Sequence, residues 1–283
     1  MTVESDTQVA IVICTGSYHT PVLYQPFMQA LISNGFEAHC PQRLTCDLSK
    51  LNVGDVRNPD FDRGPPPEGY PTDLDDAVVV RQLLHKLIDQ ENKNVLLFGH
   101  ATGAVVATQA AIPELHYRNR QSQNQKGGVI GIFYVGGMVV PLGESVHTFF
   151  HPKDGSWTPP PFVRFYKHGK EGLATPTENQ KYLLVGLNAE EVQKWSSEMT
   201  ASPVNTGVLT NDIYSTLPCG YLVLDHDTCL PPAYQEKMIS MQSRPGNEFR
   251  VYHAPSGQSP QLTWIEGLVG KVMEFTQHIQ SLQ

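Results

Sequence analysis

The stretch from Asn94 to Ala111, NVLLFGHATGAVVATQAA, restricts the fold more than any other part of the chain. A short run of apolar residues passes straight into a segment of small residues at helical period, with only Gly99-His100-Ala101-Thr102-Gly103 between them. A strand that enters a helix within so few residues must turn sharply, and glycines on both sides of the turn allow the backbones to approach. Ala104 and Ala107 then let the helix lie close on the strand. A strand with no polar alternation is buried on both faces, which requires a parallel sheet covered by helices on either side.

The rest of the chain repeats this pattern. Val9–Cys14, Phe36–Cys40, Val129–Val135, Gly220–Leu224 and Glu248–His253 read as further strands. Helices are expected over Pro21–Asn34, closed by Asn34-Gly35, and from an N-cap at Thr72 to about Gln90, with Asp75 and Asp76 near its positive end. A closing amphipathic helix is expected from Leu262 to Gln280. Pro41 to Pro71 is rich in Pro, Gly and Asp and reads as a surface loop. Between Gly136 and about Thr206 the pattern gives way to Pro, Gly and aromatic residues, the composition of a lid inserted over the sheet. The expected organisation is a core of residues 1–136 and 207–283 with a cap of residues 137–206.

Composition narrows the function classes. The 283 residues, 40% hydrophobic and 17% charged, suit a globular chain with a large core. A formal net charge of -8 and the lack of a Lys/Arg run argue against a nucleic-acid partner. Acidic residues precede the first apolar stretch, where a secretory signal would be basic, and the longest apolar run falls short of the ~20 residues of a membrane span. A cytoplasmic protein that does not engage the membrane is expected. Cys14, Cys40, Cys46, Cys219 and Cys229 are scattered without metal-ligand spacing, so reduced thiols and no metal are expected. No cofactor motif is found, and the oligomeric state stays open.

The turn at Gly99–Gly103, with its strand and small-residue helix, resembles the G-x-S-x-G turn of the α/β-hydrolases, in which the nucleophilic serine stands above the sheet edge. A tight strand-helix junction of another parallel fold is the alternative. The resemblance extends from Val9 to Phe275. CTGSYHTP, residues 14–21, is similar to an oxyanion turn of small α/β-hydrolases, which implies that the N–H groups of Ser17 and Thr102 stabilise an oxyanion. YLVLDHDTCLPPAYQ, residues 221–235, is similar to the segment bearing the catalytic acid, with Asp227 aligned and Asp225 as second choice. The family's histidine would stand in Gly-His-Ser-Pro, and here the segment reads Gly257-Gln258-Ser259-Pro260.

Two positions that act as one chemical unit therefore depart from the family. Ala101 has no nucleophile, and Gln258 has no nitrogen that titrates near neutral pH and can shuttle a proton. His253 is the remaining nearby candidate for a base. The resemblance implies an α/β-hydrolase fold whose retained groups are Asp227, Gln258 and the two backbone donors. Ligand contact is expected from Tyr18, His19, Phe149, Trp157, Phe162 and Tyr166, with Phe150 and Phe165 in the same aromatic lid; ordinary lid packing, and for His19 a role in pinning its turn, are the alternatives. A small-molecule partner follows. The first expectation is a non-hydrolytic cyclase, isomerase or lyase acting on an apolar, polyketide-like intermediate. The others are a pseudohydrolase that binds a small molecule and an esterase or lactonase in inactivated form.

Overall fold

The computed structural model describes residues 8–151, 154, 156 and 158–282. Six strands form one wholly parallel sheet: β1 Ala10–Cys14, β2 Glu37–His39, β3 Asn94–His100, β4 Gly128–Val135, and, after a long insertion, Cys219–Leu224 and Arg250–Ala254. The insertion carries three short strands, β5 Val163–Phe165, β6 Leu173–Pro176 and β7 Ser202–Pro203, so the last two core strands are β8 and β9. The sheet runs β2-β1-β3-β4-β8-β9. The strand order reverses between β1 and β3, which pair in register from Ala10 opposite Val95 to Cys14 opposite Gly99. In open sheets of this kind the crevice beyond the carboxyl ends at the reversal is where ligands bind.

The alternation of side chains explains why the core strands are apolar throughout. Val12, Leu97, Ile132 and Val223 pack on one face, and Ile13, Leu96, Phe133 and Leu222 on the other, all buried. The helices α1 Gln25–Ser33, α2 Asp73–His85, α3 Gly103–Ala110, α4 Tyr117–Ser122 and α8 Pro232–Gln242 cover the sheet together with α9 Pro260–Thr263 and α10 Ile265–Gln280. Within the insertion lie α5 Val146–Phe150, α6 Asn179–Tyr182 and α7 Ala189–Ser197, beside the antiparallel β5-β6-β7 sheet. Among the described residues no helix is long and apolar enough to cross a membrane.

Three details differ from the sequence expectations. The expected closing helix is divided at Trp264, whose φ of -145° and ψ of 44° leave the helical region. Its indole folds over Gly267, where a Cβ would lie 2.0 Å from the ring. At the start of α2 Thr72 is the N-cap as expected, but it is the Asp75 carboxylate that accepts from its N–H and hydroxyl, at 2.7 and 2.8 Å. The 41–71 stretch is only partly a surface loop, because Arg43, Thr45, Cys46, Leu51 and Val53 are buried.

Candidate functional site

The turn after β3 is held open by geometry that a serine at its apex would need. Ala101 has a φ of 49°, a left-handed conformation costing an L residue about 1–2 kcal/mol. Its N–H donates to Val135 O at 3.2 Å, and its carbonyl accepts from Met138 N–H at 2.9 Å. Gly103 sits where a Cβ would lie 2.1 Å from Cys14 O, and at Gly99 it would lie 2.8 Å from the Ala104 Cα. Both glycines of the motif are thus required by close backbone approach. The apex itself carries only a methyl group.

Beside this turn lies the loop after β1, where the structure corrects one expectation. The Ser17 N–H donates to Thr102 Oγ1 at 2.9 Å, so it is not free to receive an oxyanion. The physical cause is a buried cation. Arg43 Nη1 donates to the same Thr102 oxygen at 3.0 Å and to Thr15 O at 2.9 Å. With both acceptor positions of the hydroxyl used, its own hydrogen is directed to Ser17 Oγ, 2.9 Å away. Asn205 Nδ2 donates to Ser17 Oγ at 3.0 Å and completes the chain.

Arg43 is fixed in turn by α2. Its Nε donates to Asp76 at 2.7 Å and its Nη2 to Asp73 at 2.9 Å, and all three side chains are at most 2% exposed. Asp76 also accepts from the Thr45 N–H at 3.1 Å and hydroxyl at 2.7 Å. Burial pushes the Asp73 carboxyl up to about 6, against the pull of Arg43. This network is not foreseen from the sequence. Its available signal was a pair of acids three residues apart on the face of α2 that also buries Ala77 and Val80.

A second polar chain runs beneath the apex. His100 Nε2 donates to Gln258 O at 2.8 Å, and its Nδ1 lies 2.5 Å from Tyr24 Oη. Burial lowers the His100 pKa to about 4, partly opposed by the Gln258 carbonyl, so the ring is neutral and its Nδ1 must accept from Tyr24. Tyr24 in turn accepts from His19 Nδ1 at 2.9 Å and from Gly16 N–H at 3.2 Å. His19 is 2% exposed and does not line the cleft, contrary to its expected ligand contact. It pins the turn after β1.

The backbone bond from His100 sets Gln258 next to the elbow, and its side chain meets Asp227. Hydrogen bonding orients the Gln258 amide nitrogen toward the carboxylate, 2.5 Å from Oδ2 and 3.2 Å from Oδ1. Asp227 Oδ1 also accepts from the N–H groups of Cys229 and Leu230, at 2.8 and 3.0 Å. Burial pushes the Asp227 carboxyl up to about 7, while these backbone bonds pull it down. Asp225 and His253 are elsewhere: they pair with each other at 2.8 Å with exposed side chains, so neither serves this site.

A cleft of about 180 Å³ opens above Ser17 and Thr102. Tyr18 and Phe162 line it as expected, as do Phe150 and Phe165. Phe149 instead packs on the core and Tyr166 stacks on Phe61, so these two do not reach it. Trp157 lies outside the described residues. His147, His151 and Asn205 also line the cleft and were missed, because nothing in the sequence brings them to the sheet edge. Ala101, Asp227 and Gln258 are buried, at 6, 3 and 5% exposure, and are not part of its wall. A second cavity, of about 220 Å³, lies by His116, Leu217 and Ile279 and touches none of these groups. Among the described residues no cluster of three or more His, Cys, Asp or Glu could hold a metal.

A family model described as the alpha/beta hydrolase family matches residues 11–270. The chain belongs to this family. Solved members of similar shape include a serine-to-alanine variant of the pyrethroid hydrolase PytH, with a TM-score of 0.66 at 17% identity, over 96% of this chain and 97% of the other. A variant of polyneuridine aldehyde esterase has a TM-score of 0.66 at 11% identity, over 94% of this chain and 98% of the other. Tomato methylketone synthase I, complexed with 2-tridecanone, has a TM-score of 0.66 at 10% identity, over 96% and 99%. At such identities the likeness shows the fold alone. No curated protein sequence matches the chain.

Proposed function

We propose that this chain is a non-hydrolytic member of the α/β hydrolase family, whose cleft binds an apolar small molecule bearing an oxygen. The 137–206 segment serves as its cap. One observation carries the reading: Ala101 and Gln258 stand in an otherwise intact frame, with the left-handed turn kept and Gln258 held between His100 and Asp227. Serine chemistry needs a nucleophile and a base in contact. Here there is a methyl group and an amide. Gln258 serves as a fixed polar strut. The ligand's oxygen meets the Ser17 hydroxyl and the Asn205 amide, and its apolar body meets Phe150, Phe162 and Phe165.

Binding is the first reading because Asp227 and Gln258 are buried and not part of the cleft wall and the Ser17 N–H is already satisfied. The second reading is a cyclase, isomerase or lyase acting on a polyketide-like intermediate. It is favoured by the retention of Asp227, a carboxyl with a pKa near neutrality, and a relative named as a synthase supports it. An esterase in inactivated form is the third, supported by relatives named as hydrolases and esterases. The test is incubation with a panel of aromatic and polyketide-like ketones and aryl esters, followed by mass spectrometry and chromatography. A ketone retained unchanged, with affinity falling when Phe162 is changed to alanine, supports binding. A product of equal mass, or loss of a small molecule, establishes the catalyst instead. Rapid release of alcohol from the esters contradicts both.

A further inference from the structure

The cleft's wall contains two titratable groups that no part of the hydrolase frame requires. His147, on α5, and His151, just beyond it, stand with ring centroids 4.4 Å apart and planes inclined at 36°. The His147 N–H donates to Asn205 O at 3.0 Å, which ties this end of the cap to the polar floor. Neither ring is hydrogen-bonded to a described residue. Although the chain carries a net charge of -8, no Asp or Glu is found among the described residues lining the cleft.

Burial lowers the His147 pKa, and the neighbouring His151 and Lys170 lower it further. Of the two nearby acids, Asp154 also interacts electrostatically with His151 from the solvent side, whereas Glu144 is engaged elsewhere. Asp154 is exposed and accepts from Ser156 N–H at 2.8 Å, and the Glu144 carboxylate accepts from the Thr148 hydroxyl at 2.5 Å. Protonation of His147 is disfavoured until an anion enters, and an anion between the two rings would gain charge-assisted hydrogen bonds in a partly desolvated place.

We propose that His147 and His151 form a binding site for the carboxylate of an amphipathic organic acid, whose apolar body lies along Phe150, Phe162 and Phe165. The inference rests on the cleft being the ligand site, and it narrows the ligand class. The site takes up a proton as the acid binds, because burial and its neighbours hold His147 below the usual imidazole range beforehand. Affinity therefore rises as pH falls toward 6 and weakens toward pH 8.

The experiment is calorimetric titration of the full-length protein with 4-phenylbutanoate and with its methyl ester. It is done at pH 6 and pH 8, and at pH 7 in two buffers of different ionisation enthalpy. At pH 6 the acid should bind about tenfold more tightly than the ester, the size of one charge-assisted hydrogen bond. That preference should shrink by pH 8, and binding should consume protons. Changing His147→Gln together with His151→Gln should abolish the preference and the proton uptake, so that acid and ester bind the variant equally. An acid that binds no better than the ester, or a preference that survives the double change, overturns the carboxylate site and leaves the apolar cleft standing. If neither probe binds, the carboxylate site and the small-molecule reading fall together.

Discussion

Ala101 holds a backbone conformation that its own side chain does not need, and the groups around it are fixed by bonds that would serve a nucleophile. Thr102 shows how one of those groups has been reassigned, since its hydroxyl takes the Ser17 N–H that a transition state would otherwise use. Replacing Thr102 with valine keeps the shape and removes the acceptor from both Ser17 N–H and Arg43 Nη1. The expected cost is about 1–3 kcal/mol in urea unfolding, the penalty for buried donors left unpaired. Asp227 gives a pH-dependent prediction. Its folded pKa of about 7 lies above the ordinary 3.8, so its contribution to stability is complete below about pH 4 and is lost as pH rises through 7. Asp227→Asn removes this dependence, so the melting temperature of the variant relative to the parent should climb between pH 4 and pH 7. A flat difference would mean that the carboxylate is already well solvated or fully paired.

At the scale of elements, the parts most legible in the sequence are those set by periodicity and close packing. The two-faced apolar strands and the glycines of the elbow could be read directly, because burial on both sides and backbone proximity leave few residue choices. Gly103→Ala should cost at least about 3 kcal/mol or abolish soluble protein, since its Cβ would lie 2.1 Å from Cys14 O and backbone cannot yield there. The break at Trp264 was not legible, because it comes from an indole folding onto a glycine three residues away. The loop carrying Arg43 was misread for a similar reason. Its proline and glycine content correctly excludes long helices, yet says nothing about one arginine reaching the acids of α2. Arg43→Met leaves Asp73 and Asp76 buried without their cation and should destabilise the fold by about 3–5 kcal/mol. The loss should lessen toward pH 4, where Asp73, already raised to about 6, is protonated.

For the whole molecule, the sheet order brings the β1 loop and the β3 turn side by side, and the segment between β4 and β8 adds the aromatic wall. The family, the elbow and the positions of Asp227 and Gln258 were legible, since each lies in a short local motif. The wall was legible only in its aromatic part, through Tyr18, Phe150, Phe162 and Phe165, whereas His147, His151 and Asn205 converge on it only in three dimensions. On the function proposed, the frame of a serine hydrolase persists here without its working pair. The most direct measurement is labelling by a fluorophosphonate, with aryl-ester turnover alongside, for the parent, Ala101→Ser, and Ala101→Ser combined with Gln258→His. Residues acting as one unit restore function together rather than singly. The parent should show no labelling, the single variant little, and the double variant clear labelling at residue 101 with measurable turnover. Brisk turnover by the parent, or by the single serine variant without any histidine at 258, would contradict the proposed function.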